Sequence, residues 1–311
     1  MPSPSITITS ATRLIESNYP VRIWVISTAP FVGSYIITAD SDLTATLGVT
    51  PSLISDWFDI SPNSQLTVIV TEDITLSLDL EPGLVLLDDT VVTALDADLA
   101  GFYDALNTVA VANLAHIFLA ESQSIDIATT ITDVATLSGN IGVFWGVNPV
   151  VAMAHIPLYE LDIQQPLAGY TYPLLPTVTA TVSTNSELDT LYDANLNGVK
   201  SNSELGKAIW GAKLLSGLNI NSHLVTETIK YELTNRLLPY LLQPIETETE
   251  LRAAIDSYLS SVWRLGWLQG SYSAAFTATV TLTSDPQTII VNMSISPVGV
   301  LESIQITLSV I

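Results

Sequence analysis

Three histidines, 31 carboxylates and no cysteine are the reactive side chains of this sequence. His116, in AHIFLA, and His155, in AMAHIPL, stand in apolar runs and read as core or rim histidines. His223 opens a helical stretch, where a cap or surface position suits it. Lacking cysteine, the chain has no disulfide, thiolate metal site or cysteine nucleophile. G-x-S-x-G, H-E-x-x-H, P-loop and G-x-G-x-x-G patterns do not occur. A glycosidase pair is defined by a carboxylate separation that sequence does not supply. The expectation is a protein with no catalytic residues and no cofactor.

One formal metal motif is present. DANLNGVKSNSE, Asp193 to Glu204, fits the calcium-loop pattern D-x-[DN]-x-[DN]-G-x5-E. Asp193, Asn195 and Asn197 would offer oxygens, Gly198 the sharp turn and Glu204 a bidentate carboxylate. Only two of these ligands are charged. Lys200 fills the position where an apolar residue normally pairs two loops, and there is no second loop. A turn rich in Asn and Gly, without metal, is the expectation. The Asn292-Met293-Ser294 sequon lies in a strand-like run and is read as chance.

The formal charge is −22, and its distribution is uneven. No Lys or Arg occurs from Ile23 to Val199. Seven of the nine basic residues fall between Lys200 and Arg264, balanced by seven acids, so the net negative charge lies outside that stretch. An acidic surface repels nucleic acid and anionic membrane, neither of which is an expected partner. No run approaches the ~20 apolar residues of a membrane-spanning helix. MPSPSITITS has neither a basic region nor a hydrophobic signal core, so a soluble chain without secretory targeting is expected.

Periodicity supplies the elements. SITIT, VRIWVIS, SYIIT, QLTVIVT, DITLSLDL (73–80) and GLVLLDD read as strands. DSDLTATLG reads as a capped helix ending at Gly48, and PSLISDWFDI as a helix with Pro51 in its first turn. A helix at 96–109, a strand in NLAHIFLA, a helix in SIDIATTITDVATLSG and a strand in IGVFWG predict a small α/β layer with parallel pairing. A long proline-containing connection follows, with a strand at its end. KAIWGAKLL fits strand or helix. Two long helices come next: 224–243, with Ile229, Leu233, Leu237 and Leu241 on one stripe, and 248–270, with Leu251, Ile255, Leu259, Val262 and Leu265 on another. Three strands close the chain. The last, SIQITLSV, is apolar and uncapped, a template for pairing with another chain.

The order of features in the last third resembles the C-terminal domain of contractile phage tail sheath proteins. They are Trp210-Gly211 on a strand, a helix with Asn235-Arg236, a second helix running into Gly266–Gly270, and two strands around Pro297–Gly299. The resemblance covers about Glu187 to Ile311. It departs where the family's basic pair is reduced to Arg236 and where PIETETE joins the helices. The implied fold is mixed α+β and α/β: an N-terminal arm (1–20), an α/β and β-rich region (21–185), and a C-terminal domain (186–311) of two long helices on a β-sheet, ending in a strand arm from about 300. The implied function is that of a structural virion subunit, synthesised in the host cytoplasm and placed in the phage tail. Copies form hexameric rings stacked helically around a tail tube, contact the baseplate and store energy for contraction. Ser5, Ile6, Thr7 and Ile8 at one end, and Ser303, Ile304, Gln305, Ile306, Thr307 and Leu308 at the other, are the expected strands donated to neighbours, by β-augmentation. Lys230, Arg236, Arg252 and Arg264 are tube-contact candidates. Arg252 is favoured, because Arg264, between Trp263 and Leu265, is expected to snorkel from a packed face. The other readings are a tube or baseplate protein, and a secreted acidic adhesin.

Overall fold

Strands that are apolar at consecutive positions need cover on both faces, and such runs build the central sheet of the computed structural model. It describes residues 20–27, 31–49, 51–76, 78, 81–95, 99–137, 139–240, 248–282 and 289–299. The sheet has six strands: β1 (Val21–Ile26), β2 (Gly33–Ile37), β3 (Leu66–Thr71), β4 (Leu84–Leu87), β5 (Ile117–Glu121) and β6 (Ile141–Phe144). Their order is β2-β3-β1-β4-β5-β6, parallel throughout except for β2 at one edge. Ile23, Trp24 and Val25 of the central β1 are fully buried. The parallel layer is therefore larger than the sequence implied: the early strands belong to the same sheet as β5 and β6.

Helices cover both faces. α1 (Leu43–Leu47) and α2 (Ser52–Ile60) join β2 to β3; α3 (Asp89–Leu95) and α4 (Leu99–Ala112) join β4 to β5; α5 (Ile127–Val134) joins β5 to β6. α1 is capped by the Asp42 carboxylate and ends at Gly48, whose φ of 72° suits glycine. After β6 come α6 (Pro149–Met153) and α7 (His155–Leu158), which the sequence reading missed. Their signal was present: Asn148 caps α6 and Pro149 occupies its first turn.

Two expected strands do not form. In 73–78 Asn113 replaces a strand partner: its Oδ1 accepts from Leu78 N at 2.9 Å and its Nδ2 donates to Leu76 O at 2.9 Å. The end of the long connection is extended but outside any sheet, held by Thr181 N to Gly146 O and Ser183 N to Val199 O. α8 (Asn185–Asp193) then starts on a Thr184/Glu187 capping box and leads into the hairpin of β7 (Gly198–Asn202) and β8 (Gly206–Trp210).

α9 (Ile220–Leu237) and α10 (Glu248–Arg264) follow, with Leu224, Ile229, Leu233, Leu251, Ile255, Leu259 and Val262 buried. α11 (Tyr272–Ala275) and the hairpin of β9 (Phe276–Leu282) and β10 (Ile289–Ile295) pack on α10. One apolar cluster runs from Ile23 through the two long helices to Phe276, so the sheet and the helices share a core. Leu241 and the SIQITLSV run lie outside the described residues.

Candidate functional site

The chemistry-bearing residues are mostly tied down. His155 Nε2 accepts from Leu175 N at 2.9 Å, and its Nδ1 faces Val151 O at 3.0 Å. His116, 1% exposed, lies 3.1 Å from Glu81 O through Nε2. Burial first, and the Arg22 cation second, push its pKa down to about 4. His223 lies in the first turns of α9, and burial lowers its pKa too.

The calcium-loop residues serve the backbone. Asp193 ends α8, and Asn195 takes a left-handed φ of 59° while its Nδ2 donates to Leu215 O at 3.3 Å. Asn197 is fully buried. Its Nδ2 donates to Val143 O at 3.0 Å and to Lys213 O at 2.9 Å, and its Oδ1 accepts from Lys213 N at 2.6 Å. These three bonds join the end of β6 to the segment after β8. Gly211 has φ of 121°, and a Cβ there would come 2.8 Å from Asn197 Oδ1. The glycine of the Trp-Gly pair makes room for this clamp. Glu204 sits exposed in the β7–β8 turn, beyond the five-residue strand β7. The segment after Asn197 is therefore a hairpin, not a loop wrapped around an ion.

Five of the seven clustered cations are engaged within the chain. Lys200 Nζ lies 4.1 Å from the Trp210 ring centre and Lys213 Nζ 3.4 Å from that of Tyr192. Lys207 Nζ donates to Val178 O at 3.0 Å. Lys230 pairs with Glu227 at 2.5 Å. Arg236 spans the two long helices, 3.7 Å from Glu232 and 4.7 Å from the Tyr258 ring centre. Arg252 and Arg264 are exposed and meet no carboxylate or aromatic ring among the described residues. The expected snorkelling of Arg264 is corrected here: the buried face of α10 ends at Val262, leaving Arg264 in solvent and Leu265 46% exposed.

The second feature is an unfinished sheet. β9 and β10 pair over seven positions, and no third strand joins them among the described residues. Ala278, Val280, Val291, Met293 and Ile295 face the core but stay only partly buried, while Thr277, Thr279, Asn292 and Ser294 face outward. A lone two-stranded ribbon is marginal in water, and added strands would complete its cover. Beyond β10, Val298 N donates to Trp267 O at 2.9 Å and Val298 O accepts from Ser222 Oγ at 2.9 Å, which turns the chain toward α9. Residues 5–8 and 303–308, the expected donor strands, lie outside the described residues.

A mostly parallel sheet carrying a helix pair and a terminal ribbon is shared with solved structures over nearly the full chain. A chain of the PVC sheath complex of an extracellular contractile injection system, in the contracted state, superposes with TM-score 0.70 at 15% identity, covering 99% of this chain and 98% of that one. The chain has the fold of a contractile-sheath subunit. The same fold occurs in the contracted helical sheath of the anti-feeding prophage, at TM-score 0.70, 16% identity and coverage of 94% and 93%. A chain from that particle's six-fold symmetrised baseplate matches with the same values. The crystal structure of a sheath tail protein from Desulfitobacterium hafniense gives TM-score 0.55 at 9% identity, covering 94% of this chain and all of that one. No protein-family model and no curated protein matches the sequence. The sheath fold includes the six-stranded sheet, well beyond the C-terminal third from which the resemblance was read.

Proposed function

We propose that this chain is a structural subunit of a contractile tail sheath, assembling with copies of itself around a tail tube and meeting a baseplate at one end. The observation that carries this is likeness over the full length to sheath chains, not over one module. The edges of β9 and β10, which no third strand joins among the described residues, support strand donation, with residues 5–8 and 303–308 as donors. Backbone pairing would fix register, and alternate side chains would finish the half-covered face. Contraction needs no nucleotide in this scheme. The extended lattice holds free energy in interfaces with two discrete arrangements, and identical subunits add their contributions. Arg252, exposed on α10, is the tube contact we favour, and weak screenable pairs suit a surface that must release. The particle is a tail or a tail-like injection system, and the subunit belongs to its outer layer.

Negative-stain microscopy of the purified chain tests the proposal. Striated hollow cylinders or rings are the expected result, and discrete monomers at high concentration would overturn it. Deleting Ser303–Ile311 should leave a folded subunit that no longer forms cylinders. A large drop in melting temperature of the monomer would instead make that strand part of its own sheet. One neighbour comes from a baseplate, which makes a short collar-like sheath homologue the second reading; single rings without stacking would favour it.

A further inference from the structure

At the carboxyl edge of the central sheet lies a cleft of about 610 Å³, bounded by α2, the loops after β5 and β6, and the extended segment 177–181. Asp56, Asp59 and Glu121 line it, and among the described residues no Lys, Arg or His does. Burial raises the pKa of Asp56, and repulsion from Asp59 and Asp89 adds to it. Burial also raises that of Glu121, against the Asn148 amide that donates to it at 3.2 Å. Negative charge is gathered here with no cation in the lining to offset it. Trp145 forms part of the same wall, is 8% exposed, and has an indole N–H without an acceptor among the described residues. The rest of the lining includes Leu53, Ile60, Val147 and Val151, and Ile125, 96% exposed. The cleft asks for a cation with an apolar neighbour.

The same chain presents that combination elsewhere. At the end of α10 the core-facing residues stop at Val262 and resume at Trp267. Between them Arg264 and Leu265 stand exposed, and Gly266, at φ of 79°, turns the chain with open space around it. An exposed arginine and an exposed leucine stand side by side in sequence at the helix end.

We propose that the Arg264–Leu265 corner of one copy seats in the Asp56–Asp59–Glu121 cleft of the next. The contact rests on the sheath reading, since it needs copies to associate. The guanidinium would donate to two carboxylates, and Leu265 would cover the apolar wall. Corner and cleft are different surfaces, so the contact is head-to-tail and every copy offers one of each. Such contacts generate rings or open helical arrays rather than closed pairs. They also place a positive group against a negative one between subunits whose formal charge of −22 otherwise drives them apart.

Two charge reversals test this. Asp59→Arg and Arg264→Glu each change an exposed side chain, and circular dichroism should show both variants folded as the wild type. Alone, each should self-associate about tenfold more weakly in sedimentation velocity at fixed salt, a change of ~1.4 kcal/mol. Mixed in equal amounts they should associate more strongly than either variant alone, because the Arg264 corner of the Asp59→Arg variant meets the unaltered cleft of the Arg264→Glu variant; the reverse pairing stays weak, since Asp56 and Glu121 leave the altered cleft net negative. The contact is overturned if single variants assemble normally, or if the mixture fails as the single variants do. A wild type that stays monomeric under all these conditions removes the self-assembly reading itself. A wild type that assembles alongside unaffected variants removes only this contact.

Discussion

Asn197→Asp separates two roles that the sequence leaves entangled. As a calcium ligand, residue 197 would gain from a carboxylate, because added charge tightens such loops. The structure puts the side chain to another use. Its amide nitrogen donates to Val143 O and Lys213 O, and its oxygen accepts from Lys213 N, in a place with no solvent exposure. Aspartate keeps the acceptor but loses both donors, and it sets a charge against two carbonyl oxygens. Lys213 O loses this donor, while Val143 O keeps the Asn197 backbone N–H at 2.9 Å; with about 1–3 kcal/mol for an unsatisfied buried group and a charge buried beside it, the substitution should cost ~3 kcal/mol. Asn197→Ala removes all three bonds without adding a charge and should cost ~2–4 kcal/mol. The assay is urea unfolding of wild type and both variants, with excess calcium and with chelator. The expected order is wild type, then Ala, then Asp, unchanged by calcium. An Asp variant as stable as the wild type and raised further by calcium, as ligand linkage requires, would refute the clamp and restore the metal loop.

Gly211→Ala should destabilise by ~2–4 kcal/mol, since it strains a φ of 121° and drives a methyl toward Asn197 Oδ1; thermal unfolding reads it, and additivity with Asn197→Ala would show that the two are not coupled. His116 has a folded pKa of about 4 against an unfolded value near 6.5. The folded state refuses a proton that the unfolded chain accepts, so stability is full above pH ~6.5 and falls as pH drops toward 4, by at most ~3 kcal/mol. Raised carboxyls such as Asp88 and Glu121 act in the opposite direction. A pH series of denaturant midpoints should therefore fall less steeply in His116→Gln, and an identical slope would exclude His116 as the cause. Arg252→Glu should leave folding intact and weaken co-sedimentation with the tube at low salt; binding insensitive both to salt and to the reversal would place that contact elsewhere.

Much of the fold was legible because its signals are local. Pro149 after Asn148, Gly48 after an apolar helix and the stripe on α10 each report one element's own geometry. What was illegible depends on partners distant in sequence. Leu76 and Leu78 stand in a run that alternates as a strand should, yet Leu78 N and Leu76 O bond to the side chain of Asn113, 35 and 37 positions away. The breadth of the sheet was hidden for a related reason. VRIWVI and LVLL look like ordinary strands, and only burial on both faces shows that they lie at the centre of a parallel layer.

Charge carried information that pattern alone did not resolve. Of the seven cations clustered between 200 and 264, five make contacts within the subunit, while the Lys230 and Arg236 side chains stay 57% and 45% exposed. Lys200 and Lys213 lie over aromatic rings, Lys207 reaches a carbonyl, and Lys230 and Arg236 pair along α9. An exposed pair contributes only ~0–1 kcal/mol, so those contacts chiefly fix where the cations are, not how stable the chain is. Arg252 and Arg264, which meet no carboxylate among the described residues, lie twelve residues apart on one helix and so about 120° around its axis. Two cations so arranged point in different directions. One directed at the tube and one at the adjacent copy is the assignment that uses both, and it makes α10 the element through which a change of lattice would be felt at both surfaces together.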